Sequence, residues 1–150
     1  GKHFSAFVPF AARWPLEVHL VPHRRVADLA GLTGEERDDL TAVYLDLLGR
    51  VDALYPTPTP YIAAWQQAPL DPVLRPASYL HLQLTSPRRA ADKLKFLAGS
   101  EAAMGAFIND TTPEAVAQAL RSAVPCASPA RSAAGRPATD RPATDRKEQA

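Results

Sequence analysis

Residues 79–84 read Tyr-Leu-His-Leu-Gln-Leu, so that leucine alternates with larger polar or aromatic side chains. Successive side chains of a β-strand point to opposite faces of the sheet, and this two-residue period predicts a strand with the three leucines on its core face. His81 and Gln83 then share the other face, roughly 7 Å apart at the ~3.3 Å rise of a strand. The stretch therefore predicts a sheet with one apolar face and one polar face.

The same period occurs at residues 16–20, which read Leu-Glu-Val-His-Leu. Aromatic and β-favouring residues also fill residues 3–10, and together the two stretches predict neighbouring strands joined through residues 11–15. Residues 61–66 form a further apolar stretch, which predicts a buried strand.

A long helix is predicted to follow Thr33, because Glu36 stands three residues later and completes a capping box. Apolar residues then recur at helical spacing as far as Leu54. Prolines at 56, 58 and 60 fix the backbone and remove amide donors, so we expect the helix to end before them. Helices packed on a sheet make the predicted fold class α+β.

The last third of the chain contains two shorter predicted helices and a tail. One helix is expected around residues 102–107, and another begins at Thr112, which precedes a proline. Beyond residue 125, small residues, proline, arginine and aspartate dominate, and such a composition buries too little apolar area to offset its ordering entropy. We therefore predict one folded domain over residues 1–125 and a disordered low-complexity tail over residues 126–150.

Composition excludes several classes of function. The 17 basic and 16 acidic side chains nearly cancel, so no strong field attracts the chain to nucleic acid or to an anionic membrane. No apolar run approaches the ~20 residues that span a bilayer, and residues 1–4 do not resemble a signal peptide. Cys126 is the only cysteine, which favours the reducing cytoplasm. Because Met104 is the only methionine, we expect translation to begin upstream of Gly1.

Few residues suggest chemistry on their own. His81 and Gln83 are near enough to share a ligand or a metal, but an ordinary half-exposed strand face is the simpler interpretation. His19 and His23 have no partner carboxylate or cysteine at metal-ligand spacing, and we expect them to be ordinary surface histidines. The chain has no glycine-rich phosphate loop and no zinc-ribbon cysteine spacing.

Residues 95–101 combine a cation, a backbone free of Cβ and a carboxylate that could accept two sugar hydroxyls. These features belong to Lys95, Gly99, Ser100 and Glu101, and an exposed loop that begins a helix would explain them almost as well. On the residues alone, the chain is predicted to be an α+β domain with a candidate polyol pocket.

Four stretches of the sequence carry a resemblance when they are taken in order: HFSAFVPFAARWPLE at 3–17, WQQAP at 65–69, LHLQ at 80–83 and KFLAGSE at 95–101. Together they resemble the second half of the galactose-1-phosphate uridylyltransferases, over residues 3 to about 123. The resemblance implies a histidine-triad-like antiparallel sheet with packed helices, which is one half of a two-half enzyme.

The resemblance implies a nucleotidyltransferase of galactose metabolism. Family members exchange uridylyl groups between UDP-glucose and galactose 1-phosphate through a covalent uridylyl-histidine, and they form homodimers. Their nucleophile is the second histidine of a His-Pro-His segment, which does not occur in these 150 residues. We therefore expect a C-terminal fragment that is inactive alone and has no catalytic residue of its own. The zinc of the intact enzyme is expected to have its ligands upstream.

The resemblance also implies roles for individual residues. Lys95, Phe96, Ser100 and Glu101 match substrate-binding positions, with Glu101 in the place of the acceptor of hexose hydroxyls. Ser100 stands where many members have tyrosine. The serine retains a hydroxyl but lacks the aromatic ring. Phe107 replaces a glutamine that contacts the hexose in many members, so we expect sugar selectivity to be relaxed or to be supplied elsewhere.

Some family members hold a structural iron through one upstream glutamate and three histidines of this half, at positions that match Gln66, His81 and Gln83. Only His81 remains a strong ligand here, because an amide oxygen is a poor replacement for imidazole at a transition metal. We expect the iron site to be lost and the two amides to bond one another across the sheet.

Two other functions stay open at this point. The chain could be a non-catalytic sugar-nucleotide-binding or dimerisation module. It could also be a nucleotide hydrolase or phosphorylase of the histidine-triad superfamily, which would need a nucleophilic histidine within the chain. His81 is the nearest approach to such a nucleophile.

Overall fold

The computed structural model describes residues 1–125, and the tail predicted for residues 126–150 lies outside the described residues. Four strands form an antiparallel sheet in the order β1-β2-β4-β3. The predicted antiparallel α+β architecture is confirmed. The strands are β1 (Phe4–Phe7), β2 (Leu16–Pro22), β3 (Ile62–Gln66) and β4 (His81–Ser86).

Three α-helices accompany the sheet, and none in the described part of the chain is long and apolar enough to cross a membrane. The helix expected around residues 102–107 instead begins at Gly99 and ends at Met104, because Gly105 follows it with a left-handed φ of 66°. A small hairpin of β5 (Arg88–Ala90) and β6 (Lys93–Leu94) was not predicted. The helices are α1 (Gly34–Ala53), α2 (Gly99–Met104) and α3 (Pro113–Ser122).

The predicted capping box fixes the start of α1. The Thr33 hydroxyl accepts a hydrogen bond from the Glu36 amide at 3.3 Å, and the Glu36 carboxylate accepts one from the Thr33 amide at 2.8 Å. Arg24 also donates to both oxygens of Glu36 at 2.8 Å, which joins the end of β2 to the helix. The helix ends at Ala53, before the prolines, as predicted.

The core lies on the leucine face of the sheet. Leu80, Leu82 and Leu84 are fully buried, which confirms the alternation predicted for residues 79–84. Helices α1 and α3 pack on this same face, where Val51 and Leu120 join one apolar cluster. The polar face of β2 and β4 is therefore the face on which His81 and Gln83 lie.

The strand predicted for residues 61–66 exists, but the prediction that it is buried was wrong. Strand β3 is an edge strand paired only with β4, and Ile62 is 69% exposed. Only one face of β3 contacts the core, where Trp65 packs edge-on against Tyr44 with ring centroids 6.0 Å apart. The apolar composition of the strand does not reveal its edge position, because sheet order depends on distant pairing.

Strand β1 is shorter than the stretch of residues 3–10 that was predicted. It pairs with β2 in an antiparallel register that sets Phe7 opposite His19. The carboxylate of Asp39 in α1 accepts hydrogen bonds from the amides of Lys2, His3 and Phe4. These bonds anchor the beginning of the sheet to the long helix.

Candidate functional site

Lys95 and Glu101 form an enclosed ion pair beside α2. Lys95 Nζ lies 2.5 Å from Glu101 Oε1, and the two side chains are only 6% and 2% exposed. Glu101 also accepts hydrogen bonds from the amides of Ala98 at 2.8 Å and Ile108 at 3.0 Å. The bond from Lys95 and these two amides lower the pKa of Glu101 to about 2. The carboxylate therefore stays ionised at neutral pH.

The ammonium group of Lys95 has no free donor. It donates to the carbonyl of Arg13 at 3.2 Å and to the carbonyl of Ile108 at 2.5 Å, in addition to Glu101. The rings of Trp14 and Phe107 have centroids 6.0 Å and 5.9 Å from Nζ, within the range of a cation–π contact. An ammonium has three N–H donors, so every one of them has a partner in the fold.

The four predicted substrate-binding residues divide into two groups. Lys95 and Glu101 are enclosed and bond to one another. Phe96 is 87% exposed, and Ser100 is half-buried in the first turn of α2. All four lie within residues 95–101 of the sequence, but only Phe96 and Ser100 offer surface that a ligand could reach directly. Their assignment as ligand contacts stays a prediction.

The connector between β1 and β2 forms a second wall of the site, which the sequence did not reveal. The side-chain amide of Asn109 donates to the carbonyls of Ala12 at 3.3 Å and Trp14 at 3.1 Å. Glu17 accepts hydrogen bonds from the amides of Arg13 at 2.7 Å and Trp14 at 3.4 Å. The only sequence feature that pointed to the contact with Arg13 and Trp14 was the position of Glu17 on the polar face of a predicted strand.

The prediction that His19 has no partner carboxylate was wrong. His19 Nε2 lies 3.1 Å from Glu17 Oε1, because the two-residue period of β2 places both side chains on the same face. The β2–β4 register also brings the His19 ring to 6.4 Å from the ring of His81. His23 is exposed, as expected, and contacts the Ser5 hydroxyl at 2.9 Å.

The positions that match the iron ligands of some family members do not fit a transition metal. His81 Nδ1 lies 2.9 Å from the carbonyl of Tyr79 and donates to it, so Nε2 is the acceptor that faces the Gln83 amide at 3.4 Å. Gln66 lies opposite His81 in the register but is exposed at the sheet edge. Within residues 1–125, no three His, Cys, Asp or Glu side chains come together as a metal site.

The hydrogen bonds on this face also correct one expectation. In the described part of the chain, the Gln83 amide pairs with His81 on its own strand, whereas a bond between the amides of Gln66 and Gln83 had been expected. The exposed position of Gln66 on β3 explains the difference, because its amide can hydrogen-bond water instead.

Comparisons with known proteins agree with this architecture. The model of the galactose-1-phosphate uridyl transferase C-terminal domain matches residues 1–131. A galactose-1-phosphate uridylyltransferase from Thermotoga maritima is 36% identical over 121 residues, which are 80% of this chain and 38% of that protein. A galactose-1-phosphate uridylyltransferase from Streptomyces lividans is 47% identical over 95 residues, which are 58% of this chain and 27% of that protein. The chain thus spans between about a quarter and two fifths of these relatives.

Solved structures give the same relationship. A uridylyltransferase structure superimposes with a TM-score of 0.74 at 38% identity, and covers 82% of this chain and 39% of that one. A zinc-bound histidine triad family protein from Mycobacterium smegmatis superimposes with a TM-score of 0.51 at 17% identity, over 82% of this chain and 78% of that one, and shares the fold alone. Residues 1–125 therefore have a histidine-triad-like fold, and the chain belongs to the galactose-1-phosphate uridylyltransferase family, whose C-terminal domain it matches.

Proposed function

We propose that residues 1–125 act as the sugar-phosphate-binding domain of a UDP-glucose–hexose-1-phosphate uridylyltransferase, a nucleotidyltransferase of galactose metabolism. The observation that carries this proposal is the preformed segment 95–101, where the enclosed pair of Lys95 and Glu101 holds Phe96 and Ser100 at an accessible surface. Family membership supports the same role. UDP-glucose and galactose 1-phosphate are the proposed ligands.

The proposal assigns binding to this chain, and it does not assign the covalent step. The 150 residues contain no His-Pro-His segment that could supply the family nucleophile. In the proposal, the nucleophilic histidine and the zinc belong to the part of the family protein that this chain does not match. The complete enzyme would act in the cytoplasm as a homodimer.

The test is the binding of UDP-glucose to the purified 150-residue chain by calorimetry, beside an assay for transfer of radiolabelled uridylyl to the protein. We expect binding without retained label. The Phe96→Ala variant should bind about tenfold more weakly, the effect of losing one contact of ~1.4 kcal/mol. Leu70→Ala is the matched control, because Leu70 is also highly exposed but lies outside the segment.

Two outcomes would contradict the proposal. Label retained on His81 would place a nucleophile within this chain and would favour a histidine-triad hydrolase or transferase. Absence of binding to UDP-glucose, glucose 1-phosphate and galactose 1-phosphate would remove the binding role altogether.

A dimerisation module is the second candidate, and exposed apolar side chains favour it. Three large apolar side chains near one another in sequence are exposed: Phe96 at 87%, Met104 at 81% and Ile108 at 61%. Clustered apolar exposure is typical of a surface that another protein covers. Sedimentation of the wild type and of Met104→Lys would test it: a dimer that the substitution dissociates supports this role, and a wild-type monomer at high concentration contradicts it.

A further inference from the structure

A cavity of about 470 Å³ lies on the leucine face of the sheet, between the end of β1 and the helices α1 and α3. Its volume falls within the ~300–1,000 Å³ of pockets that hold small organic ligands. None of its lining residues belongs to segment 95–101 or to the connector between β1 and β2. The cavity is therefore separate from the proposed sugar-phosphate site, and an inference about it does not rest on the proposed function.

Apolar side chains form the floor and the walls of this cavity. Val18 and Leu120 are 2% and 7% exposed and belong to the apolar cluster beneath it. Val8 packs on the same cluster, while Ala6 lines the β1 side and Ala117 lines the α3 side. An apolar molecule in the cavity would displace water from this surface, which is favourable in proportion to the apolar area that is buried.

The charged residues of the lining are two arginines, Arg50 and Arg121. Arg50 donates from Nε to Asp46 at 2.7 Å and from Nη1 to three carbonyls at the end of α3. A guanidinium has five N–H donors, so the two on Nη2 have no partner within residues 1–125. The Arg121 side chain makes no hydrogen bond or ion pair in that same part of the chain. Because Asp46 balances Arg50, the charge left uncompensated at the cavity is that of Arg121.

A neighbouring depression of about 450 Å³ continues the cavity along α3 and shares Val8, Ala117 and Arg121 with it. Glu114 lines the far part of this depression, where it disfavours a second negative charge. Phe10, which is 90% exposed, adds apolar surface there. Together the two form an elongated groove, and an anionic group is favoured at the end that Arg50 and Arg121 line.

We propose that this groove binds an aliphatic monocarboxylate, with the carboxylate on Arg121 and on the free donors of Arg50 and the chain on Val8, Val18 and Leu120. A single negative charge matches the one uncompensated positive charge. Guanidinium groups hold carboxylates through two parallel N–H···O bonds, which an alcohol or an amine cannot accept in that way. The apolar floor requires a chain rather than a small hydrophilic anion.

The first test is calorimetry of the purified 150-residue chain with octanoate and three matched probes: 1-octanol, octylamine and butyrate. Octanoate should bind at least about tenfold more tightly than each of the others. Octanol and octylamine lack the carboxylate, and butyrate has four fewer methylene groups to bury. If octanol bound as tightly as octanoate, the arginines would not recognise the anion. If butyrate did, the chain would not lie on the core, and either result would overturn the proposal.

Removal of one positive charge tests the assignment of the carboxylate. Arg121→Gln should weaken octanoate by about tenfold and leave the affinity for octanol unchanged, because only the charged head loses a contact. Arg25→Gln is the matched control, since Arg25 is also exposed but does not line the cavity. Unchanged octanoate binding in Arg121→Gln, or an equal loss in Arg25→Gln, would overturn the proposal.

Filling the cavity tests the place of the chain. Ala117→Trp puts an indole into the space that the aliphatic chain would occupy, so it should weaken both octanoate and octanol by at least about tenfold. Ala119→Trp is the control on the same helix, because Ala119 lines a different depression and its variant should change either affinity by less than about twofold. Equal affinities for octanoate in the two folded variants would contradict the proposed position.

Nuclear magnetic resonance of the wild type locates the ligand without any substitution. On addition of octanoate, the largest shifts should occur at the amides of Ala6, Val8 and Ala117, which line the cavity. The amides of Phe96 and Met104 report on other exposed apolar surface and should change little. If the largest shifts occurred at Phe96 and Met104 instead, octanoate would bind elsewhere, and the proposal would be wrong.

Discussion

Lys95 Nζ and Glu101 Oε1 lie 2.5 Å apart, inside a shell made of backbone groups and two aromatic rings. A similar carboxylate stands at the start of α1, where Glu36 accepts two hydrogen bonds of 2.8 Å from Arg24. In both places a cation and backbone amides favour the ionised carboxylate over the protonated form. The Arg24–Glu36 pair connects the end of β2 to α1, and the Lys95–Glu101 pair connects residue 95 to α2. Because both carboxylates must stay ionised, these pairs make the stability of the fold sensitive to acid.

The pH dependence of stability follows from these two groups. The pKa values of Glu36 and Glu101 fall from the usual 4.5 to about 2, chiefly through the bonds from Arg24 and Lys95. A lowered native pKa gives stability that is complete above the unfolded value and is lost as pH falls toward the native value. We therefore expect the melting temperature to fall between about pH 4.5 and about pH 2.

Circular dichroism melts of the wild type, Glu36→Gln and Glu101→Gln would check this slope. Each variant should begin lower at neutral pH and lose less on acidification, whereas Glu35→Gln removes an exposed carboxylate from the same turn as a control. Part of the acid slope should remain in the variants, because the pKa values of Asp28, Asp39 and Asp110 are also lowered by their hydrogen-bond donors. If the melting temperature fell with pH by the same amount in all four proteins, the acid dependence would not come from Glu36 and Glu101.

The leucine face of the sheet should dominate stability. Leu82→Ala, at a fully buried position of β4, is expected to cost about 2–5 kcal/mol of the free energy of unfolding, because it removes apolar contacts and leaves a cavity. Ile62→Ala on the exposed edge of β3 should change it by no more than about 0.5 kcal/mol. Urea denaturation would measure both values, and equal losses would show that the edge strand is buried in solution.

Gly105 is expected to be essential for the turn after α2. Its φ of 66° is left-handed, and a Cβ would therefore be strained there even though open space surrounds it. Gly105→Ala should cost about 1–2 kcal/mol of the free energy of unfolding. Gly34→Ala, in open space at the start of α1 and without a positive φ, is the matched control and should be neutral or stabilising. Destabilisation of equal size in both variants would contradict this explanation.

Restoring imidazoles on the polar sheet face should create metal binding. In Gln66→His/Gln83→His, three imidazoles would lie on adjacent strand positions, because Gln66 is opposite His81 and Gln83 is two residues along β4. Imidazole binds transition metals far better than an amide does, so the variant should retain cobalt or iron after desalting when the wild type does not. Adding His81→Ala should remove the metal again. Equal retention by the wild type would show that its amides suffice.

Several elements followed directly from the sequence. The leucine alternation of β4, the capping box of Thr33 and Glu36, and the start of α3 at Thr112 all appear as predicted. The resemblance that rested on four stretches agrees with the family that the comparisons identify. Each of these features depends on residues that are close in sequence or on a pattern that repeats along one strand.

Other features came only from the packing of distant segments. The burial of β3 was overestimated because edge position is set by sheet order. The contact of His19 with Glu17 is local and could have been predicted, because the two-residue period of β2 places both side chains on one face. Asn109 was not recognised at all, although it holds two carbonyls of the connector.

The sequence by itself therefore determined the strand faces and the limits of α1, since periodicity, capping and proline act over a few residues. The resemblance of four stretches also indicated the family. It also named Lys95 and Glu101, but it described them as groups available to a sugar. Only the tertiary structure decided that they face one another, because a buried charge takes whichever carbonyl and amide partners the fold brings to it. For Lys95 those partners are Arg13, Glu101 and Ile108, and the spacing of residues along the chain does not contain that information.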